Sequence, residues 1–142
     1  MTPEARIAAA IEVLDGVIGG MAAEQALTGW ARGHRFAGAR DRAAIRDLVF
    51  DALRCRRSCL ARAGGGTETG RALMIGWVVA AGRDPEAVFT GEGYAPCALD
   101  PSELARLAAA TPEPMGDCVA LDCPDWIAPR LRRALGAGFA AV

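Results

Sequence analysis

Nine arginines fall between residues 32 and 62, at positions 32, 35, 40, 42, 46, 54, 56, 57 and 62, opposed only by Asp41, Asp47 and Asp51. That window carries +6 on a chain whose net charge is −1. A block of this kind binds anions, because guanidinium groups grip phosphate through paired N–H donors and stack on planar bases. Phe36 and Phe50 are interleaved with the arginines. Positive charge for a backbone and a flat surface for bases is what single-stranded RNA requires. The opposing reading is that carboxylates neutralise the arginines and Phe50 completes a core. Pattern alone leaves the two level.

The spacing predicts one long helix over residues 42–62, with Asp41 as its N-cap. Ile45, Leu48, Val49, Ala52, Leu53 and Cys59 lie on one side of it. Measured from Arg42, Arg46 falls near ~40°, Arg57 near ~60° and Phe50 near ~80°, so the four share a flank. Arg35, Phe36 and Arg40 sit in the preceding loop, 34–40. The adjoining helix N-terminus offers free N–H groups and a positive dipole end to phosphate. The candidate RNA-binding residues are therefore Arg35, Arg40, Arg42, Arg46, Arg54 and Arg57. Arg56 falls inside the apolar arc, which marks it as a structural arginine bonded to a carboxylate or a helix end.

No other cluster carries chemistry. Cys55 and Cys59 are four apart on a helix, but two thiols and the single histidine, His34, fall short of a four-ligand zinc site. Cys118 and Cys123 would have to reach them across the fold, so small packed cysteines and no metal are expected. His34 has no acid near it in sequence and reads as an exposed loop residue. Gly64-Gly65-Gly66 follows a helix and lacks the lysine and Ser/Thr of a phosphate loop. No catalytic residue is assigned.

The elements that must position the arginines are helices. The chain has 142 residues, 52% hydrophobic but only 6% aromatic, and this alanine-rich composition suits helices packed closely on helices. Thr2-Pro3-Glu4 opens a first helix that Gly19-Gly20 stops, and a second runs over about 22–31. Thr69 to Ala81 is apolar nearly all round and should be the buried centre. Asp84-Pro85-Glu86 opens a short helix, Asp100-Pro101-Ser102-Glu103 is a capping box, and Cys123-Pro124-Asp125-Trp126 begins the last helix. No stretch alternates like a half-buried strand. The fold class is all-α, a bundle of about six to seven helices. The longest apolar run is too short for a bilayer and no secretory leader is recognisable, so free thiols in the cytoplasm are expected. Residues 1–135 read as the domain. Gly136 to Val142 reads as the start of a linker toward a further domain.

At Asp41-Arg42-Ala43-Ala44-Ile45-Arg46-Asp47-Leu48-Val49-Phe50-Asp51-Ala52-Leu53-Arg54 the sequence resembles the NusB-like N-terminal domain of the Sun family. Members of that family are bacterial methyltransferases that make 5-methylcytosine in 16S ribosomal RNA. Leu53-Arg54-Cys55-Arg56-Arg57 matches the family's basic helix ending, and Cys123-Pro124-Asp125-Trp126-Ile127 is similar to its Pro-x-Trp-Leu segment. The resemblance implies a NusB-type bundle that binds ribosomal RNA beside its own C-terminal catalytic domain, which would use S-adenosylmethionine. This chain has no strand, glycine-rich turn and helix unit for such a cofactor, so none is expected within it. Ala95-Pro96-Cys97 imitates the family's active-site dipeptide, but nothing in its flanks builds a cofactor pocket, and Cys97 reads as a loop residue. Two alternatives stand beside this one: a free-standing NusB-like antitermination factor, and a helical protein-docking module that touches no RNA.

Overall fold

The computed structural model describes residues 1–110, 122 and 128–135. Among them are seven helices of at least seven residues: α1 (Pro3–Ile18), α2 (Ala23–Gly33), α3 (Ala39–Arg54), α4 (Arg56–Arg62), α5 (Gly70–Ala80), α7 (Pro101–Ala109) and α8 (Ala128–Leu135). A single turn, α6 (Pro85–Val88), lies between α5 and α7. Among the described residues there is no strand, and no helix is long and apolar enough to cross a membrane. The fold is all-α. The expected linker at 136–142, the start of the last helix at Cys123 to Trp126, and Cys118 lie outside the described residues.

Local capping sets most boundaries. The Thr2 hydroxyl accepts from the Ala5 N–H at 3.1 Å, with Pro3 behind it. Asp84 and Thr69 cap α6 and α5 in the same way. Asp100 and Glu103 exchange both bonds of a capping box at 2.8 and 3.0 Å.

The core is built around α1 and α5. Helix α1 packs on α2, α3 and α5, and α5 packs on α4. Ile7 and Leu14 of α1, Ile45 and Val49 of α3, and Leu73, Met74 and Val78 of α5 are fully buried. The small residues Ala9, Ala10, Ala26 and Ala52 fill the seams and let the helix axes approach. The closest approach is between α4 and α5. A Cβ at Gly76 would run into the carbonyl oxygen of Cys59, so no other residue type fits without moving a backbone.

The single helix expected over 42–62 is two helices. Its ladder breaks at Cys55 (φ −116°, ψ 31°), whose N–H is shared between the carbonyls of Asp51 and Ala52. The new N-terminus of α4 is satisfied from far along the chain. Asp122 accepts from the Ser58 N–H at 2.8 Å and from its hydroxyl at 2.7 Å, so its carboxylate supplies the cap that no local residue provides. The predicted cap at Asp41 also fails. The N-cap of α3 is Gly38, which makes no side-chain cap bond, and Asp41 lies one turn in, bound to Arg6 at 2.7 and 3.0 Å. Arg40 consequently belongs to the first turn of α3, not to the loop.

Candidate nucleic-acid interface

Arg42, Arg46, Phe50 and Arg54 follow one another at four-residue spacing on α3, and the three arginines are exposed. Exposure does not leave them all unpaired. Arg46 makes a two-pronged ion pair with Glu24 of α2, and its guanidinium lies 5.2 Å from the centroid of the Phe50 ring. The carboxylate is the main cause that holds the Arg46 pKa above its ordinary value, and Arg46 in turn lowers that of Glu24. The interleaved aromatic foreseen as a base platform is therefore covered by an arginine of its own helix. Arg54 pairs with Asp51 one turn back. Arg57 is half-buried on α4 and engaged. The break at Cys55 removes the helical register that placed it beside Arg42.

The inner arginines are structural. Arg56 forms a two-pronged pair with Glu68, as its position in the apolar arc implied. Arg71 joins three elements. It bonds Glu103 at 2.7 and 2.9 Å, donates to the carbonyls of Cys97 and Ala98 at 2.9 and 3.0 Å, and lies 5.0 Å over the Phe89 ring. Glu103 is 7% exposed, and Arg71 holds its carboxyl below the usual glutamate range against the opposing effect of burial.

What stays electrostatically open is the turn from α2 into α3. Arg32, Arg35 and Arg40 are exposed and take part in no ion pair or hydrogen bond among the described residues. Arg42 donates to the Ala37 carbonyl at 3.1 Å and meets no carboxylate among the described residues. Of the six predicted RNA contacts, Arg35, Arg40 and Arg42 are thus the ones without a carboxylate partner among the described residues. The structure commits Arg46 and Arg54 to carboxylates and carries Arg57 onto a separate helix.

Beside this turn is an aromatic cleft of about 600 Å³, lined by Trp30, His34, Phe36 and Tyr94 with the carboxylates of Glu12 and Glu92. His34 is not a plain loop residue. Its ring stacks on Trp30 with centroids 4.3 Å apart and planes 7° from parallel. Its Nδ1 donates to the Trp30 carbonyl at 2.7 Å, and its Nε2 lies 3.9 Å from Glu12. Glu12 also accepts from the Trp30 indole N–H at 3.1 Å. The acid partner sits 18 residues before Trp30, on another helix. The Trp30–His34 spacing of four was the only local signal for the stack, and nothing nearby announced Tyr94.

Cys59 is buried, which pushes its thiol up to about 12, whereas Cys97 is exposed in the loop after α6. Among the described residues no group of three His, Cys, Asp or Glu side chains is placed to hold a metal ion. Comparison with protein-family models, with curated proteins and with solved structures returns no significant match, so both the arginine turn and the cleft must be read from their own chemistry.

Proposed function

We propose that this chain is an RNA-binding helical domain that holds ribosomal RNA for a separate, S-adenosylmethionine-dependent cytosine-5 methyltransferase domain. One observation carries the reading: Arg32, Arg35, Arg40 and Arg42 flank the turn from α2 into α3 with no carboxylate partner among the described residues. Gly38 leaves the first turn of α3 without a side-chain cap, so its N–H groups and dipole add to the attraction for phosphate. The likeness of 41–54 to the Sun family supports ribosomal RNA as the polyanion. Arg46 and Arg54 form a second tier. Their ion pairs are solvent-exposed, and exposed pairs are weak enough for a phosphate to replace the carboxylate.

The test is fluorescence anisotropy of a labelled single-stranded fragment of 16S ribosomal RNA with the whole chain. Arg35→Glu with Arg40→Glu should weaken binding about tenfold or more at moderate salt. Because both side chains are exposed, the circular dichroism spectrum should not change. Wild-type affinity in that double variant contradicts the assignment. The docking-module reading is favoured by a specific observation, the neutralisation of Arg46, Arg54 and Arg56 by carboxylates of the same chain. It predicts no RNA binding by the wild-type protein.

A further inference from the structure

The aromatic cleft has an electrostatic character opposite to that of the arginine turn next to it. Four aromatic residues line it, and the two acidic residues of its lining are Glu12 and Glu92. No arginine lines it among the described residues, and the terminal ammonium of Met1 at its rim lies 3.6 Å from Asp41. Two of its rings are unusually exposed for their size: Phe36 at 72% and Tyr94 at 86%. Large aromatic side chains left this open beside a concave surface mark a contact site, not a core.

The other two rings are held in place. Trp30 and His34 stack face to face, the indole N–H is tied to Glu12, and Nδ1–H of His34 is tied to the Trp30 carbonyl. Phe36 meets His34 edge-on at 5.9 Å with a 74° interplanar angle. One wall is therefore pre-set, and Phe36 and Tyr94 stand open to solvent. A volume of about 600 Å³ falls within the range of small-ligand sites.

The geometry points to a binding site for an alkylated ammonium group. Ring faces carry negative quadrupole potential and attract a diffuse cation, and methyl groups on nitrogen satisfy the apolar surface that a bare ammonium would leave dry. Glu12 and Glu92 add charge complementarity. The same carboxylates repel phosphate, so the cleft excludes a nucleotide backbone. The site is independent of the RNA reading.

Choline chloride, titrated into the whole chain and followed by tryptophan fluorescence and calorimetry, tests this. Saturable binding is expected, with the neutral isostere 3,3-dimethylbutanol about tenfold weaker or worse at matched ionic strength. Tyr94→Ala and Phe36→Ala should each weaken choline about tenfold, and Glu92→Gln about threefold, all at exposed positions that leave folding intact. Arg35→Glu should leave choline binding no weaker. A peptide carrying trimethyllysine binding tighter than choline identifies a protein side chain as the source of the ammonium, and weaker binding identifies a small molecule; both uphold the site. Equal affinity for choline and its isostere, no saturation up to ~50 mM choline, or indifference to Tyr94→Ala overturns it.

Discussion

Arginine does opposite work in two regions of this molecule. Around α4, α5 and α7 two guanidiniums are matched to carboxylates: Arg56 to Glu68, and Arg71 to Glu103 with two loop carbonyls added. At the turn from α2 into α3, Arg32, Arg35 and Arg40 meet none among the described residues. The residue type is the same, and the position of the acids decides the role. An arginine count along the chain therefore measures potential, while the placement of glutamates and aspartates measures what remains available to a polyanion.

The comparison is broken most severely at the packed end. Gly76→Ala places a methyl group against the Cys59 carbonyl, where neither α4 nor α5 can yield as a side chain would. Urea denaturation should show a loss of about 3 kcal/mol, or no folded protein at all. Next in size is Asp122→Ala, which strands the N–H of Ser58, a residue 2% exposed, and leaves its hydroxyl only the Cys55 carbonyl at 3.2 Å. About 2 kcal/mol should be lost, as for a helix cap combined with a buried unsatisfied group. If Asp122→Ala melts like the wild type, the capping of α4 from a distance is wrong.

The matched arginines should also impose an acid limit. The pKa of Glu103 is lowered in the folded chain, chiefly by the Arg71 hydrogen bond, and that of Asp41 is lowered chiefly by Arg6. A depressed carboxylate stabilises the fold above its unfolded-state value and loses that contribution as pH falls through the folded-state value. Stability should thus be flat near neutrality and decline below the ordinary glutamate value of 4.5. In Arg71→Ala the part of this decline due to Glu103 should shrink in urea melts run between neutral and acid pH. The thiols give a smaller, purely kinetic contrast. Iodoacetamide should label exposed Cys97 quickly and leave Cys59 unmodified until the chain unfolds, because burial holds Cys59 as the thiol. Peptide mass spectrometry distinguishes the two.

Smallest is the effect of freeing a single second-tier arginine. Glu24→Gln removes the partner of Arg46 without touching the turn, and should raise RNA affinity slightly while leaving the melting curve unchanged. No change in affinity would confine the interface to residues 32–42.

What was legible in the sequence is what short-range chemistry fixes. The caps at Thr2, Asp84 and Asp100 depend on neighbours two or three residues away, and α5 betrays its central place through apolarity on all sides. Arg56 does pair with a carboxylate, Glu68, although the break at Cys55 removes the register from which its position was counted. Apart from Arg54, which pairs with Asp51 one turn back, the misread features rest on partners distant along the chain. The break at Cys55 is stabilised by Asp122, 64 residues beyond Ser58, and the Asp41 carboxylate is drawn off by Arg6, 35 residues before it. Arg46 is claimed by Glu24 across 22 residues. A helical wheel registers none of these, so it overstated the free charge on α3. The aromatic cleft was hidden for the same reason, since Glu12, Trp30 and Tyr94 come from α1, α2 and the loop after α6.

The most direct test of the open arginine turn is the salt dependence of RNA binding. Log affinity plotted against log salt concentration, measured by anisotropy on a single-stranded ribosomal fragment, should fall with a slope of about −2, the value for three phosphates at ~0.7 released counterions each. The slope should shrink markedly in the Arg35→Glu, Arg40→Glu, Arg42→Glu variant. A wild-type slope near zero, or the same slope in the variant, would contradict the account.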